Sequence, residues 1–253
     1  MKILMIGNSF ADDTMDYVYQ IASSLGAKDI TLGILYIGGC SIERHYENTK
    51  SLAKDYEFRF NNSGVFKTEY NTDIDYGILY EDWDIITFQQ CSGYSGVNKS
   101  YENLKSLMEY VKNKATNKNV KFYFNMTWAY QKDTDRNEYN LYYNSDQLTM
   151  YKMVVKTVQE ETKSLDFVDI IPVGTAIQNA RTSSLGDTLT RDGFHLSYGI
   201  GRFIASLTLV AKLFKLDVLK TTYKLDDMSD ELLSICTNAA SKAIKIPFTV
   251  TNI

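Results

Sequence analysis

The chain has 253 residues, 44% hydrophobic and 23% charged, enough apolar material for the packed core of one domain, or at most two. Its formal net charge of −4, from 27 Lys and Arg against 31 Asp and Glu, argues against nucleic acid as the main partner. Two prolines exclude a proline-rich linker or collagen-like repeat, and no apolar stretch approaches the roughly 20 residues that cross a bilayer.

The N-terminus enters a strand at once, over 2–6. No apolar segment with a small-residue cleavage site precedes it, which sets the expectation of a cytoplasmic protein. Further short runs rich in Ile, Val, Phe and Tyr read as buried parallel strands over 30–36, 84–88, 120–125 and 167–171. Helical periodicity fills the gaps. Tyr17, Ile21 and Leu25 share one face. A helix is expected over 41–54, and others are marked by Leu104, Leu107, Met108 and Val111 and by Met150, Met153, Val154, Thr157 and Val158. Ile200, Phe203, Ile204, Leu207 and Val210 mark a late helix, and 228–244 a final amphipathic one.

Residues 56–70 read as two short β segments around Asn61-Asn62-Ser63-Gly64, a hairpin expected outside the main sheet. The polar, Tyr-rich stretch 133–144 reads as a loop or short helix. The strand–helix alternation predicts one α/β domain over 1–253, a three-layer sandwich around a five-stranded, mostly parallel sheet. A C-terminal helical extension is expected from about 216.

In such a sheet, ligands bind beyond the carboxyl ends of the strands. The first strand runs into Gly7-Asn8-Ser9-Phe10, a turn that can present the Ser9 hydroxyl at the sheet edge, beside a helix N-terminus that favours negative charge. A turn or capping serine would look the same, but Asp12, Asp13 and Thr14 read as better caps. A serine nucleophile needs a base, and the chain has only two histidines.

His195 lies in Arg191-Asp192-Gly193-Phe194-His195. Asp192, three residues earlier on a glycine loop, can accept from the ring Nδ1 and leave Nε2 for the serine proton; a turn carboxylate beside a helix-start histidine is the plain alternative. His45, among Glu43, Arg44 and Glu47, reads as lying on a solvated helix face.

The second strand is followed by Gly38-Gly39, whose backbone can approach a ligand and aim an N–H at it, an oxyanion donor or a simple turn. The third strand ends in Gln89-Gln90. One of these carboxamides is expected to face the cleft, where it too could donate. Trp128 and Tyr130, after the fourth strand, could wall a pocket or pack in the core. Cys40, Cys91 and Cys236 cannot all pair and lack zinc-ribbon spacing, so they read as reduced thiols; Cys40 and Cys91 lie beside site loops and are the alternative nucleophiles.

Taken in order, Gly-Asn-Ser, Gly-Gly, a polar amide after the third strand, and Asp-x-x-His before a late helix resemble the SGNH (GDSL-like) hydrolase superfamily of esterases and lipases. The closest likeness is to a bacterial branch opening Gly-Asn-Ser-Phe, and it extends over roughly residues 1–215. The resemblance implies a flavodoxin-like fold, Ser9 as nucleophile, His195 as base and Asp192 as the acid orienting it. It implies oxyanion donation by the Ser9 and Gly39 N–H groups and by Gln90 or Gln89, the glutamines standing where the superfamily has an asparagine. Asn8 stands where many members have aspartate. Asn8, Phe10, Trp128 and Tyr130 are expected to form the substrate pocket.

The implied reaction is hydrolysis of acyl esters, short-chain and on a carbohydrate or other small molecule, with no metal or organic cofactor. A lipase or thioesterase taking longer acyl chains is the rival enzyme. A non-catalytic binding module of the same fold is the rival of another class.

Overall fold

A computed structural model describes all residues, 1–253. Five strands of the sheet are parallel: β1 (Lys2–Gly7), β2 (Thr31–Tyr36), β5 (Ile85–Phe88), β6 (Lys121–Asn125) and, at one edge, β7 (Phe167–Ile171). They fall within a residue or so of the segments expected from apolar runs, because burial on both faces of the interior strands demands continuous Ile, Leu, Phe and Tyr; β7, at the edge, is buried only at Ile170 and Ile171. Ile3, Leu4, Met5, Leu32, Ile34, Ile86 and Phe124 are all buried.

The sheet nonetheless has seven strands: with β3 (Tyr56–Asn61) and β4 (Lys67–Thr72) the order is β4-β3-β2-β1-β5-β6-β7. The hairpin of β3 and β4 is no excursion: β3 pairs antiparallel with β2 and extends the sheet. The cause is its alternation. Tyr56 and Phe58 point one way and are fully buried, which an isolated two-stranded ribbon could not achieve. The Asn61-Asn62-Ser63-Gly64 turn forms as expected, with the Asn61 side chain accepting from the Ser63 and Gly64 N–H groups at 3.2 and 2.7 Å. The outer strand β4 carries Lys67 and Glu69 and is mostly exposed, a charged edge that resists further pairing.

Strand order reverses at β1, from which the chain crosses to β2 on one side and later returns to β5 on the other. Helices cover both faces. On one, α1 (Ser9–Met15) and α2 (Val18–Ser24) pack with α8 (Val173–Ala180), α9 (Ile200–Leu209) and α10 (Asp230–Lys245). On the other, α3 (Ile42–Ser51), α4 (Ile74–Leu79) and α5 (Leu104–Lys114) pack together. Residues 133–144 contain the short helix α6 (Asn137–Tyr143), followed by α7 (Gln147–Thr162). The C-terminal segment is bound in: Ala239, Ala240 and Ala243 of α10 are fully buried, and the Thr251 N–H donates to Asn179 Oδ1 at 2.6 Å. No helix is long and apolar enough to cross a membrane.

His45 is not solvated. It faces inward from α3, 1% exposed, with Nδ1 2.9 Å from the Tyr56 hydroxyl. The hairpin that joined the sheet covers it, which local sequence around α3 could not show. Burial, reinforced by the Arg44 charge, pushes its pKa down to about 3. Between about pH 6.5 and pH 3 the unfolded chain therefore binds a proton there that the folded chain does not, and stability falls as the pH drops through that window. His45→Gln is expected to flatten the pH dependence of unfolding free energy between pH 6.5 and 4 by up to about 1.4 kcal/mol per pH unit. Denaturant melts of variant and parent that stay parallel across this range would contradict it.

Candidate active site

Asn8 ends the turn after β1 and caps α1, its Oδ1 accepting from the Phe10 N–H at 3.0 Å. The helix thus begins at Ser9, and Asp12, Asp13 and Thr14 are interior residues rather than caps. Ser9 sits in the first helical turn, where backbone N–H groups lack intrahelical partners and the helix end carries partial positive charge. From the far end of the chain, His195 Nε2 comes within 2.8 Å of Ser9 Oγ. Its Nδ1 is 2.6 Å from Asp192 Oδ2. The other Asp192 oxygen accepts the His195 and Phe194 N–H groups at 2.8 and 3.3 Å. Burial alone would raise the Asp192 pKa, but these bonds outweigh it and hold the carboxyl below its usual range.

That tight loop depends on Gly193, at φ +87°, where any Cβ would also lie 2.7 Å from Thr134 Oγ1. Across the cleft Gly39 adopts φ +63°, and its N–H donates to no group of the protein. A cleft of about 380 Å³ opens over these residues, lined by Ser9, His195, Gly39, Asn8, Tyr130 and Ser92 among others.

The expected glutamine donors are both spent elsewhere. Gln90 Nε2 donates to the carbonyl and hydroxyl of Ser100, at 2.7 and 3.0 Å, while its Oε1 accepts from the Ile42 and Cys91 N–H groups. Gln89 Nε2 donates to Asn8 Oδ1 at 3.0 Å, and its Oε1 accepts from Asn125 Nδ2 at 2.9 Å. Neither lines the cleft; from that loop Cys91, Ser92 and Gly93 do. Strand alternation sends the two amides to opposite faces as expected, but a strand buried on both sides absorbs both.

The expected pocket splits in the same way. Asn8 and Tyr130 line the cleft, with the Tyr130 hydroxyl 2.7 Å from Ser92 Oγ. Phe10 and Trp128 do not. They are buried and stacked on each other, ring centroids 3.9 Å apart, and Trp128 Nε1 donates to the Phe194 carbonyl at 2.7 Å. They prop the histidine loop from beneath.

The sequence did not mark the group that docks that loop. Asp13 is completely buried. Its Oδ2 accepts from the Leu196 N–H at 2.9 Å, and its Oδ1 accepts from Arg191 Nη1 and Arg202 Nε at 3.0 and 2.8 Å. The signal available was a carboxylate on the apolar face of α1, among Phe10, Ala11 and Thr14. Arg136 and Glu138, which also line the cleft, come from a polar stretch with no motif.

Cys40, Cys91 and Cys236 are all buried and free. Burial pushes their pKa values up to about 12, 11 and 12, so none is a ready thiolate.

The order of the strands and the position of the site at the β1 switch define a class: this is the fold of the SGNH hydrolases. A candidate SGNH hydrolase from Slackia heliotrinireducens shares it with a TM-score of 0.53 at 19% identity, over 84% of this chain and 98% of its own. A catalytic mutant of an acetylxylan esterase from Geobacillus stearothermophilus does so with a TM-score of 0.52 at 11% identity, over 83% and 92%.

Within that fold the chain belongs to the DUF4886 family, a domain of unknown function, whose model matches residues 2–243. A DUF4886 protein from Bacteroides uniformis is 33% identical over 100% of this chain and 98% of its own, with a TM-score of 0.96. No curated protein matches the sequence. The comparisons thus show the expected fold and assign the DUF4886 family, and they do not support the branch inferred from Gly-Asn-Ser-Phe.

The Asn8 carboxamide also donates, from Nδ2, to the Cys40 carbonyl at 3.0 Å, which an aspartate in its ionised form cannot do. Asn8→Asp is expected to destabilise the protein at pH 8 by roughly 1–3 kcal/mol, the cost of a buried acceptor left facing a carbonyl. The loss should shrink toward pH 5 as the carboxyl gains a proton to donate. Thermal melts at both pH values check this, and an unchanged midpoint at pH 8 would contradict it.

Proposed function

We propose that the protein is a serine esterase that hydrolyses short-chain, chiefly acetyl, esters of carbohydrates. The observation that carries this reading is the continuous hydrogen-bonded line from Asp192 through His195 to Ser9 at the floor of an open cleft. His195 Nε2 takes the proton of Ser9 Oγ as that oxygen attacks the ester carbonyl carbon. Negative charge collects on the former carbonyl oxygen, where the Ser9 and Gly39 N–H groups are the proposed donors. Loss of such a donor typically costs about 10²–10³ in rate. Collapse breaks the bond to the leaving alcohol, which receives the proton from His195. Water then attacks the acyl-Ser9 ester with the same base and the same donors, releasing the acid.

Asp192, held ionised by its hydrogen bonds, fixes the imidazole tautomer and favours the imidazolium that forms. The cleft volume of about 380 Å³ lies at the small end for ligand sites, which supports a short acyl group over a lipid chain. The acetylxylan esterase of the same fold supports a sugar ester. The raised thiol pKa values argue against Cys40 or Cys91 as nucleophile.

Ser9→Ala and His195→Ala are expected to lower turnover of p-nitrophenyl acetate at least about 10³-fold with the folded state intact by circular dichroism. Either variant retaining parental activity would contradict the assignment. On a series of p-nitrophenyl esters, kcat/KM is expected to fall beyond butyrate; faster turnover of the decanoate would favour the lipase reading instead.

A further inference from the structure

Resting on the esterase reading, we propose that Arg136 and Glu138 form the sugar-recognition subsite of the cleft, a donor and an acceptor side by side that bind two adjacent hydroxyls of a neutral carbohydrate ester. Both residues line the cleft that contains Ser9 and His195. The Arg136 guanidinium lies over the Phe194 ring, 4.2 Å from its centroid. Phe194 in turn packs on the His195 ring with centroids 3.9 Å apart. One aromatic ring therefore separates the guanidinium from the imidazole.

The pair is underused by the protein. Arg136 Nη2 and Glu138 Oε1 are 3.5 Å apart, at the outer limit of a hydrogen bond, and this is the sole polar side-chain contact of either residue. Arg136 Nε is buried and unpartnered, although a guanidinium offers five donors in a planar fork. Nε itself is closed off from the cleft, so a ligand reaches Arg136 through the part of the side chain that stays exposed. The Glu138 stem rests against Gly93, where a Cβ would come within 2.8 Å of Glu138 Cγ. The carboxylate is thus held in place, while both side chains remain about one-third exposed.

The chemistry selects the occupant. An anionic group drawn by Arg136 would also meet the Glu138 carboxylate. A long acyl chain would strip water from both charges and return nothing. A pair of neighbouring hydroxyls can accept from the guanidinium and donate to the carboxylate at once. Tyr94 also lines the cleft and is exposed, held edge-to-face by Tyr142 with centroids 5.9 Å apart. It offers a flat apolar surface to the C–H face of a sugar ring.

The test compares kcat/KM for an O-acetylated methyl glycoside bearing free neighbouring hydroxyls with kcat/KM for p-nitrophenyl acetate, using the full chain. The ratio is expected to fall at least tenfold in Glu138→Gln and in Arg136→Met. A purely structural role would lower both substrates together and leave the ratio where it was, which would overturn the proposal. On the substrate side, O-methylation of the neighbouring hydroxyls should reproduce the tenfold loss in the parent protein, whatever the folding of the variants; a methylated glycoside turned over as fast as the free one overturns it too. Failure of the esterase reading is seen separately, as absence of p-nitrophenyl acetate turnover in the parent, and removes the subsite with it.

Discussion

Everything at the cleft depends on one buried carboxylate. Ser9 and His195 are 186 residues apart in sequence, one at the start of α1 and the other on a loop, and neither could hold its partner unaided. Asp13 joins them. It is one turn beyond Ser9 on α1, and it grips the His195 loop through the Leu196 N–H, Arg191 and, from α9, Arg202. Burial works against the Arg202 charge, yet Asp13, Asp16 and Asp12 together hold its pKa above the ordinary value. A charge taken fully out of water is tolerable only when it is paired and hydrogen-bonded on every side. The same requirement makes the arrangement rigid, since removing one partner from such a group costs about 3–5 kcal/mol.

A second network fixes the other wall. Carboxamides of Asn125, Gln89 and Asn8 hand hydrogen bonds in sequence from the end of β6 through β5 and β1 to the Cys40 carbonyl beyond β2. It ties together the ends of four adjacent strands at the place where strand order reverses. Beneath the histidine, Phe10 and Trp128 stack and support Phe194. The Asn8-Ser9 segment therefore shares a charge clamp with one loop and an amide relay with the other, and the open space between them is the cleft.

Much of this was legible in the residues, for definite reasons. Parallel strands buried on both faces must be continuously apolar, so their positions could be read directly. Asp192-x-x-His195 carries its own geometry, because the glycine between them allows the carboxylate to curl back. What could not be read depends on contacts far apart in the chain. His45 looks solvated from its charged neighbours until the hairpin covers it. Gln89 and Gln90 look like free donors until Asn8, Asn125 and Ser100 claim them. Asp13 looks like a helix cap because its partners lie 178 to 189 residues later. Arg136 and Glu138 sit in a segment with no pattern at all, and only the folded cleft relates them to Ser9.

We propose that Ser9 acts as nucleophile because a buried clamp holds the histidine loop against it. The most direct measurement is the rate at which a fluorophosphonate modifies Ser9, followed by peptide mass spectrometry, in the parent protein and in Asp13→Asn kept well below its unfolding midpoint. Modification is expected to be confined to Ser9 and slowed at least about 100-fold in the variant while its circular dichroism stays native, since a small displacement of reacting groups carries a penalty of that order. Labelling of folded Asp13→Asn at the parental rate, or modification of the parent at any residue other than Ser9, would contradict it.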